Sequence, residues 1–413
     1  MLSVQQLRLI TCLLGAGAAA LMACSPVPAE VSTDGRADVA IAAIDGEPSA
    51  PPPAATVVAE APPASTSTAG STPTTAVPVP TTAAPLDLYA LTRAGMLAPQ
   101  VVGVTPLVYV PNSDAHSLTI INPANGEVVR TVPVGLLPHH VTPSWDLSTL
   151  YVLDTAGNAL FPIKPGTTEI GAGIPVEDPY NLYFTPDGRY ALVIAERYQR
   201  IDIRDPVSWK LLHTIPVPHP GVNHGDFSPD GRYFYASCEF SGWVVKVDLV
   251  ELRVVAEAKV GIEPIDVKFS PDATRLFVAD QARAGVMVLD PGNLHEIAFI
   301  PTARGTHGLY PSRDGKKLYA TNRLGSSVSV IDFTTNQVVA TWPIPGGGSP
   351  DMGSVSADGS QFWVSGRYHG EVYVFDTVTG QVIMRIKTGG GAHGLSYFPQ
   401  PGRYSMGHTG NNR

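Results

Sequence analysis

The sequence predicts an all-β fold, a seven-bladed β-propeller, from the spacing of its turns and from its composition. The 40 glycines and 39 prolines among 413 residues favour many turns and disfavour long helices. A repeat of about 42 residues is typical of a four-stranded propeller blade. Turn-forming acids recur here at intervals of 41, 43, 42, 42 and 44 residues, at Asp146, Asp187, Asp230, Asp272, Asp314 and Asp358. A seventh copy is degenerate, because Pro401-Gly402 stands where Asp-Gly is expected.

Each period contains four predicted strands. A short strand leads into the Asp turn, as in DFSPDG, and a second strand follows it, as in YFYAS. A third strand alternates and usually ends in Asp, as in VVKVD, and a fourth is amphipathic, as in RVVAEAKVG. Runs of β-branched and aromatic residues bounded by Gly, Pro, Asn and Asp are strand signals. The aspartates that end the third strands are expected to cap turns, as at Asp290, Asp332 and Asp376.

The strand count also predicts how the ring closes. The segment that begins near Leu107 supplies strands two to four of a blade, and GAHGLSYFP near the C-terminus supplies a first strand only. Six complete blades lie between these two segments. We therefore expect the C-terminal first strand to join the three N-terminal strands, which leaves no long strand edge exposed. The propeller is assigned to residues 99–413.

Residues 1–23 are predicted to be a lipoprotein signal peptide. Leu9 to Ala23 is apolar but for one threonine, and a run of 15 residues is too short to span a bilayer stably. The sequence LMAC that ends this run resembles a bacterial lipobox, in which Cys24 carries the lipid. An ordinary secretory signal followed by an accidental cysteine is the alternative.

Residues 24–98 are predicted to be a disordered tether, because Pro, Ala, Thr and Ser dominate this stretch and cannot bury enough apolar surface to fold.

The net charge is −9 and the sequence has no basic stripe, which argues against nucleic-acid binding. We expect an extracytoplasmic monomer that meets the membrane only through its lipid. Cys238, the one cysteine inside the propeller, is expected to be a small buried side chain.

The stretch VYVPNSDAHSLTIINPANGEVVRTVPVG resembles the YVTN-type propeller repeat of bacterial extracytoplasmic proteins. The resemblance extends from residue 107 to about residue 400, and it implies a propeller that serves as a binding or scaffold module. The chain is more distantly similar to two groups of propeller enzymes. One group is lactonase-like, and the other is the nitrous oxide reductase propeller, whose copper cluster lies on a ring of histidines.

The residues that open each first strand are expected to meet at one mouth of the central channel. They include Tyr180, Asn223, Ile265 and Met352, together with eight candidate ligands: His139, His140, Asn181, His224, Asp266, His307, Asp351 and His393. A metal site would use His139, His224, His307 and His393, since imidazole and carboxylate suit Zn, Cu or non-haem Fe. The favoured alternative is structural, because His-Gly belongs to the repeat itself. It predicts that at least three of these four histidines face the channel, with no three ring nitrogens close enough to share an ion.

No catalytic residue is assigned from the sequence, which lacks Gly-x-Ser-x-Gly, His-Glu-x-x-His and a phosphate loop. Glu177 and Asp178, with Asp266 and Asp351, are remote candidates for a general base. The favoured function is a cell-envelope lipoprotein whose propeller binds an unknown envelope protein or small ligand without a cofactor. The alternative is a lactonase-like or metal-dependent enzyme, with Zn or Cu at the histidine-lined mouth.

Overall fold

The computed structural model describes residues 85–408 and 410–413 and forms seven four-stranded antiparallel sheets. The regular structure of this part of the chain is β-strand, apart from two short 3₁₀ helices, Pro99–Val101 and Glu196–Tyr198. The predicted seven-bladed propeller is confirmed. Across the described residues, no helix has the length and apolar character that a bilayer crossing requires.

Blade 1 closes the ring as the strand count predicts. Its strands are β1 (Leu107–Asn112), β2 (Ser117–Asn122), β3 (Glu127–Pro133) and β28 (Ser396–Phe398). Strand β28 pairs antiparallel with β1, with Leu107 opposite Phe398 and Tyr109 opposite Ser396. The two ends of the propeller are therefore held together within one sheet.

The other six blades each use four consecutive strands. Blade 2 contains β4 (Pro138–Pro143), β5 (Leu150–Asp154), β6 (Ala159–Ile163) and β7 (Ile174–Pro175). Blade 3 contains β8 (Asn181–Phe184), β9 (Ala191–Ala195), β10 (Arg200–Arg204) and β11 (Leu211–Pro216). Blade 4 contains β12 (Val222–Phe227), β13 (Tyr233–Cys238), β14 (Trp243–Asp248) and β15 (Arg253–Lys259). Blade 5 contains β16 (Pro264–Phe269), β17 (Leu276–Asp280), β18 (Gly285–Leu289) and β19 (Glu296–Pro301).

Blade 6 contains β20 (Thr306–Pro311), β21 (Lys317–Asn322), β22 (Ser327–Asp332) and β23 (Gln337–Pro343). Blade 7 contains β24 (Pro350–Val355), β25 (Gln361–Gly366), β26 (Glu371–Asp376) and β27 (Val382–Lys387). The first strand of each blade is the innermost one and surrounds the channel: β4, β8, β12, β16, β20, β24 and β28. Inner strands are almost wholly buried, whereas most residues of the fourth strands are exposed or half-buried.

The packed structure begins before residue 99, inside the stretch that composition assigns to the tether. Leu88 N donates to Pro271 O at 2.8 Å, and the Tyr89 hydroxyl donates to Phe269 O at 2.7 Å. Leu97 forms a bridge with Gly402. This short apolar segment follows the Pro-rich stretch without a sharp change of composition, so composition alone sets the boundary too late. The signal peptide and residues 24–84 of the tether lie outside the described residues.

The C-terminal residues 403–413, here called the tail, turn back on themselves inside the ring of inner strands. Ser405 N donates to Trp145 O at 3.0 Å, and Phe184 N donates to Met406 O at 3.0 Å. Ser405 then pairs with Asn412 across the turn. The tail therefore occupies the part of the channel that lies away from the mouth.

Candidate metal centre

A β-bulge opens five of the seven inner strands, at the positions where the sequence places its candidate ligands. In β20, Thr306 pairs with Asn322 and Leu309 with Ala320, so β20 has one residue more than its partner over this stretch. A bulge bends its strand and turns the extra side chain out of the regular alternation. His307 lies in this bulge, and the other four bulges redirect candidate residues in the same way.

Six buried histidines meet at the centre of the ring, each with at most 8 % of its surface exposed. His140 is central: its ring centroid lies 4.8 Å from that of His393, 5.6 Å from that of His224 and 5.5 Å from that of His408. His307 lies at the edge, 5.9 Å from His393. We call this group the histidine cluster: His139, His140, His224, His307, His393 and His408.

Much of the hydrogen-bonding capacity of these rings is unused. His140 Nδ1 donates to Tyr180 O at 2.9 Å and His393 Nδ1 donates to Asp351 Oδ2 at 2.5 Å, which leaves a lone pair on each Nε2. Those two Nε2 atoms have no hydrogen-bond partner, and neither ring nitrogen of His224 has one. Buried polar atoms normally find a partner, and leaving one unpaired costs about 1–3 kcal/mol. Several unpaired nitrogens in one place make the cluster a candidate binding site.

Asp351 anchors one side of the cluster. Its carboxylate accepts from Arg323 at 2.6 and 2.8 Å and from His393, and His307 Nδ1 lies 3.1 Å away without hydrogen-bond alignment. Burial opposes the ionisation of Asp351, but the Arg323 guanidinium outweighs it and holds its pKa below the usual value. A carboxylate that orients an imidazole and makes it more basic is the usual outer partner of a metal-binding histidine.

The cluster histidines are neutral at pH 7. Burial is the main cause: it lowers the pKa of His140 from 6.5 to about 3 and that of His224 from 6.5 to about 4. The pKa values of the other four also lie well below 6.5, with burial again the largest cause. Neutral imidazole is the form that binds a metal ion.

Two sets of three histidines bring one nitrogen per ring within 4.8 Å of one another, and both sets include His140. One set adds His139 and His393, and the other adds His224 and His408. Because His140 Nδ1 donates to a carbonyl, only its Nε2 is free, so a single ion can use one set or the other. His139, His224, His307 and His393, the set proposed from the repeat, do not supply three such nitrogens among themselves.

The other sequence candidates have structural partners. Asp266 is buried, accepts from Lys268 Nζ at 2.9 Å and lies 3.9 Å from His408 Nε2. Asn181 faces the same ring, with its amide nitrogen 3.1 Å and its amide oxygen 3.4 Å from His408 Nδ1, so it can satisfy either tautomer. Asp178 bonds to the Arg197 side chain at 2.7 Å.

Sequence reasoning missed His408 as a member of the cluster. It lies in the tail, outside the repeat, so blade spacing assigns it no position. The signal in the sequence is a histidine between two glycines, in GHTG. Gly407 has φ +90°, and an added Cβ would lie 2.3 Å from Leu182 O, so only glycine lets the tail approach β8.

Comparisons with known proteins agree with this architecture. A family model described as YNCE-like β-propeller matches residues 83–401. Dihydro-heme d1 dehydrogenase of Pseudomonas aeruginosa is 30% identical over 126 residues, which are 30% of this chain and 24% of that protein. The chain thus matches less than a third of the length of this curated relative.

Solved structures show the same fold at low identity. A functionally unknown protein from Desulfotomaculum acetoxidans gives a TM-score of 0.61 at 17% identity, covering 70% of this chain and 98% of that one. A putative 6-phosphogluconolactonase from Bacteroides uniformis gives 0.56 at 20% identity, covering 71% and 99%. Dihydro-heme d1 dehydrogenase NirN in complex with DHE gives 0.55 at 16% identity, covering 74% and 77%.

The family match spans nearly the whole region in which seven blades are found. Its start at residue 83 also fits the packing of Tyr89 against the ring better than a start at residue 99 does. The chain belongs to the YNCE-like β-propeller family.

Proposed function

We propose that this propeller is a metal-binding module that holds one transition-metal ion, Zn or Cu, in its central channel. The observation that carries the proposal is the convergence of buried imidazole nitrogens that have no hydrogen-bond partner. Imidazole nitrogen suits both metals, and a bound ion would remove the cost of leaving these atoms unpaired.

His140, His224 and His408 are the better ligand set. Around a tetrahedral ion with metal–nitrogen distances of about 2.0–2.1 Å, ring centroids lie about 5 Å apart. The centroids of this set are 5.6, 5.5 and 5.0 Å apart, at interplanar angles of 57° to 75°. Small ring movements would bring their nitrogens into coordination distance.

The other set is less suited to one ion. The rings of His139 and His393 are stacked, with centroids 4.0 Å apart and planes inclined by 18°. Imidazole lone pairs lie in the plane of the ring, so stacked rings direct them along nearly parallel lines. We assign His393 and Asp351 to the surroundings of the ion, where they limit how His140 can turn.

The likeness to a haem d1 enzyme raises a tetrapyrrole as the competing ligand. A haem iron takes one or two axial ligands from its protein. The channel instead offers imidazoles in converging threes, which favours a bare ion.

Metal analysis and calorimetry test the proposal. We expect about one Zn²⁺ or Cu²⁺ per chain, and at least about 100-fold weaker binding by His140→Ala, which removes one of three ligands. His213→Ala is the matched control, because His213 is exposed on β11, and it should bind as the wild type does. Absence of binding by the wild-type protein, or a Soret band on adding haemin with no response to Zn²⁺, would contradict the proposal.

A metal-dependent hydrolase is the second candidate, supported by one carboxyl group near the cluster. Three protein ligands leave a fourth position for water in catalytic zinc sites. Asn223, the neighbour of His224, donates to Glu239 Oε2 at 2.7 Å, and burial raises the pKa of Glu239 to about 7. A group with that pKa suits general base catalysis at neutral pH. Hydrolysis of simple lactones by the zinc-loaded protein, lost in Glu239→Gln while zinc affinity is kept, would support this role, and equal rates in the two proteins would exclude it.

The proposal extends to location: a lipoprotein of the cell envelope, attached through Cys24 and extended from the membrane by the Pro-rich stretch. The support is the LMAC sequence and the composition of residues 24–84. Cys24→Ala should move the protein from the membrane fraction to the soluble fraction. Cys12→Ala, inside the same apolar run, is the control and should leave it in the membranes. Retention of the Cys24→Ala variant in membranes would refute lipid attachment at this residue.

A further inference from the structure

We propose that the tail is a metal-linked plug: His408 at its tip is a ligand of the ion, so docking of the tail and binding of the metal strengthen each other. This inference rests on the metal site proposed above. It adds a ligand from outside the blades and a means of controlling access to the ion.

The tail is docked along the inner strand β8. On β8, His408 N donates to Leu182 O at 2.8 Å, and Tyr183 pairs with Gly407. Met406 is buried in the apolar cluster that lies between blades 3 and 4. The tail thus closes the channel from the end opposite the mouth.

His408 occupies a place in the cluster that no blade residue fills. Its ring lies 5.0 Å from His224 and 5.5 Å from His140, and it is fully buried. Its backbone has φ +51°, a left-handed conformation that is uncommon for a residue other than glycine. Its Nε2 has no hydrogen-bond partner, and the nearest carboxylate oxygen, on Asp266, is 3.9 Å away. A metal ion would supply the missing partner and offset the cost of this conformation.

Arg413 anchors the other end of the tail. Its guanidinium lies 3.1 Å from Asp226 Oδ1 and its Cζ lies 4.9 Å from the centre of the Tyr89 ring. The Asp226 side chain is fully buried and that of Arg413 is 11 % exposed. Asp226 lies two residues beyond His224 on β12, and His224 lies in the bulge of that strand. The tail therefore contacts β12 through an ion pair at Asp226 and approaches it again at the proposed metal site.

The bound ion and the docked tail favour the same conformation of the protein. Each must therefore strengthen the binding of the other by the same factor. An ion bound to His140, His224 and His408 holds the tail in place. A docked tail in turn presents His408 to the ion and covers it. Release of the tail would open the channel at the end opposite the mouth. The ion would then have only two of its three ligands.

Zinc titration of the protein provides the first test. We expect His408→Gln, which keeps a polar side chain but removes the imidazole, to bind Zn²⁺ at least about 100-fold more weakly than the wild type does. Arg413→Ala weakens docking at the far end, and we expect it to lower zinc affinity about 5- to 10-fold through linkage. Wild-type affinity in both variants would overturn the inference while leaving the metal site standing.

Protection of the C-terminus provides the second test. A serine carboxypeptidase, which does not itself need zinc, can remove Arg413 only when the tail is undocked. Zn²⁺ should slow the release of Arg413 at least about 10-fold in the wild type, because the bound ion shifts the tail towards its docked form. At a Zn²⁺ concentration that saturates only the wild type, it should have no such effect in His408→Gln, nor in the weakly binding control His140→Ala.

Unprotected Arg413 in a wild-type protein that does bind Zn²⁺ would overturn the plug alone. A wild-type protein that binds no Zn²⁺ would refute the proposed function and the plug together.

Discussion

The Asp turns and the channel mouth lie at opposite ends of the same inner strands. The blades resemble one another closely in residues and hydrogen bonds at the turns, but not at the mouth. At the turns, six blades are nearly identical. A Ser or Thr hydroxyl two residues earlier donates to each aspartate at 2.5–2.6 Å, and a backbone N–H two residues later donates at 3.0–3.1 Å. At the mouth, equivalent positions hold different side chains in different blades: His, Asn, Asp or Met.

This difference between the turns and the mouth distinguishes the residues that stabilise the fold from those that form the site. A feature that every blade needs recurs in every blade, and the Asp turn is such a feature. A site needs one arrangement at the centre of the ring, so each blade contributes something different. Seven similar strands converging on one axis bring unlike side chains together, which no single blade could do. Perturbing the turns should therefore change stability, and perturbing the mouth should change binding.

Removal of residues 391–413 should have the largest effect. The closing blade lacks an Asp turn, so its first strand is held by pairing with β1 and by the contacts of residues 392–394. Its loss opens blade 1 and exposes the edge of β1. We expect an aggregated protein without a cooperative unfolding transition by circular dichroism. Removal of residues 403–413 alone keeps β28 and should leave a folded ring. A soluble 1–390 protein with unchanged thermal unfolding would refute the closure.

The fold followed from the sequence because the turns repeat at intervals that any period search detects. Strand order and ring closure then followed from counting, and β28 lies where counting places it. Residue spacing also identified His139, His307 and His393 as equivalent in position, but the pairing registers align His224 with His140, one residue further along its strand.

The site itself was less accessible to sequence. The repeat fixes where a side chain starts, but the bulges decide where it points, and no residue marks a bulge of this kind unambiguously. His408 is outside the repeat altogether. The start of the packed region was missed for a similar reason, since Tyr89 makes its contacts with blade 5, far away in sequence. Long-range packing of a short segment leaves no local pattern.

The histidine cluster and the Asp turns should affect the stability of the protein in different pH ranges. The cluster histidines have folded pKa values far below 6.5, so below pH 6.5 the unfolded chain takes up protons that the folded chain refuses. Stability therefore falls as pH falls from 6.5 towards about 4, by up to about 1.4 kcal/mol per pH unit for each histidine. Glu196, Glu239 and Asp178 act in the opposite sense, because burial raises their pKa values and protonation favours the folded state. Six histidines outnumber three acids, so the net slope remains.

The turn aspartates act in a lower window. Donors around Asp230, first the Ser228 hydroxyl, hold its pKa below 3.8, and the other five turn acids are lowered in the same direction. Their contribution is present above pH 3.8 and is lost as pH falls through their folded values. Urea midpoints of the metal-free protein from pH 8 to 3 measure both windows. His224→Gln should flatten only the upper one, and a flat wild-type profile between pH 6.5 and 4.5 would contradict this account.

Two glycine-to-alanine substitutions near the mouth, each adding one methyl group, test the role of His140 in zinc binding. An added Cβ on Gly394 would lie 2.2 Å from His140 Cδ2, so Gly394→Ala must displace that ring. Gly390→Ala, four residues earlier, meets nothing closer than 3.6 Å and is the matched control. We expect Gly394→Ala to weaken zinc binding about 10-fold or more, as loss of ligand orientation does. Equal zinc affinities in calorimetry would show that His140 is not a ligand.

The smallest expected effect comes from one turn. Ser228→Ala removes the bond from the hydroxyl to Asp230 Oδ1, and it leaves Tyr233 N without the acceptor that it contacts at 2.9 Å. Loss of a partly buried bond of this kind costs about 1–2 kcal/mol. Because five equivalent turns remain, the ring should stay intact, with a slightly lower urea midpoint and an unchanged slope. Zinc affinity should equal that of the wild type, since this turn lies at the far end of β12 from His224. A Ser228→Ala protein that keeps its stability but loses zinc binding would contradict the view that the turns stabilise the fold and the mouth binds the metal.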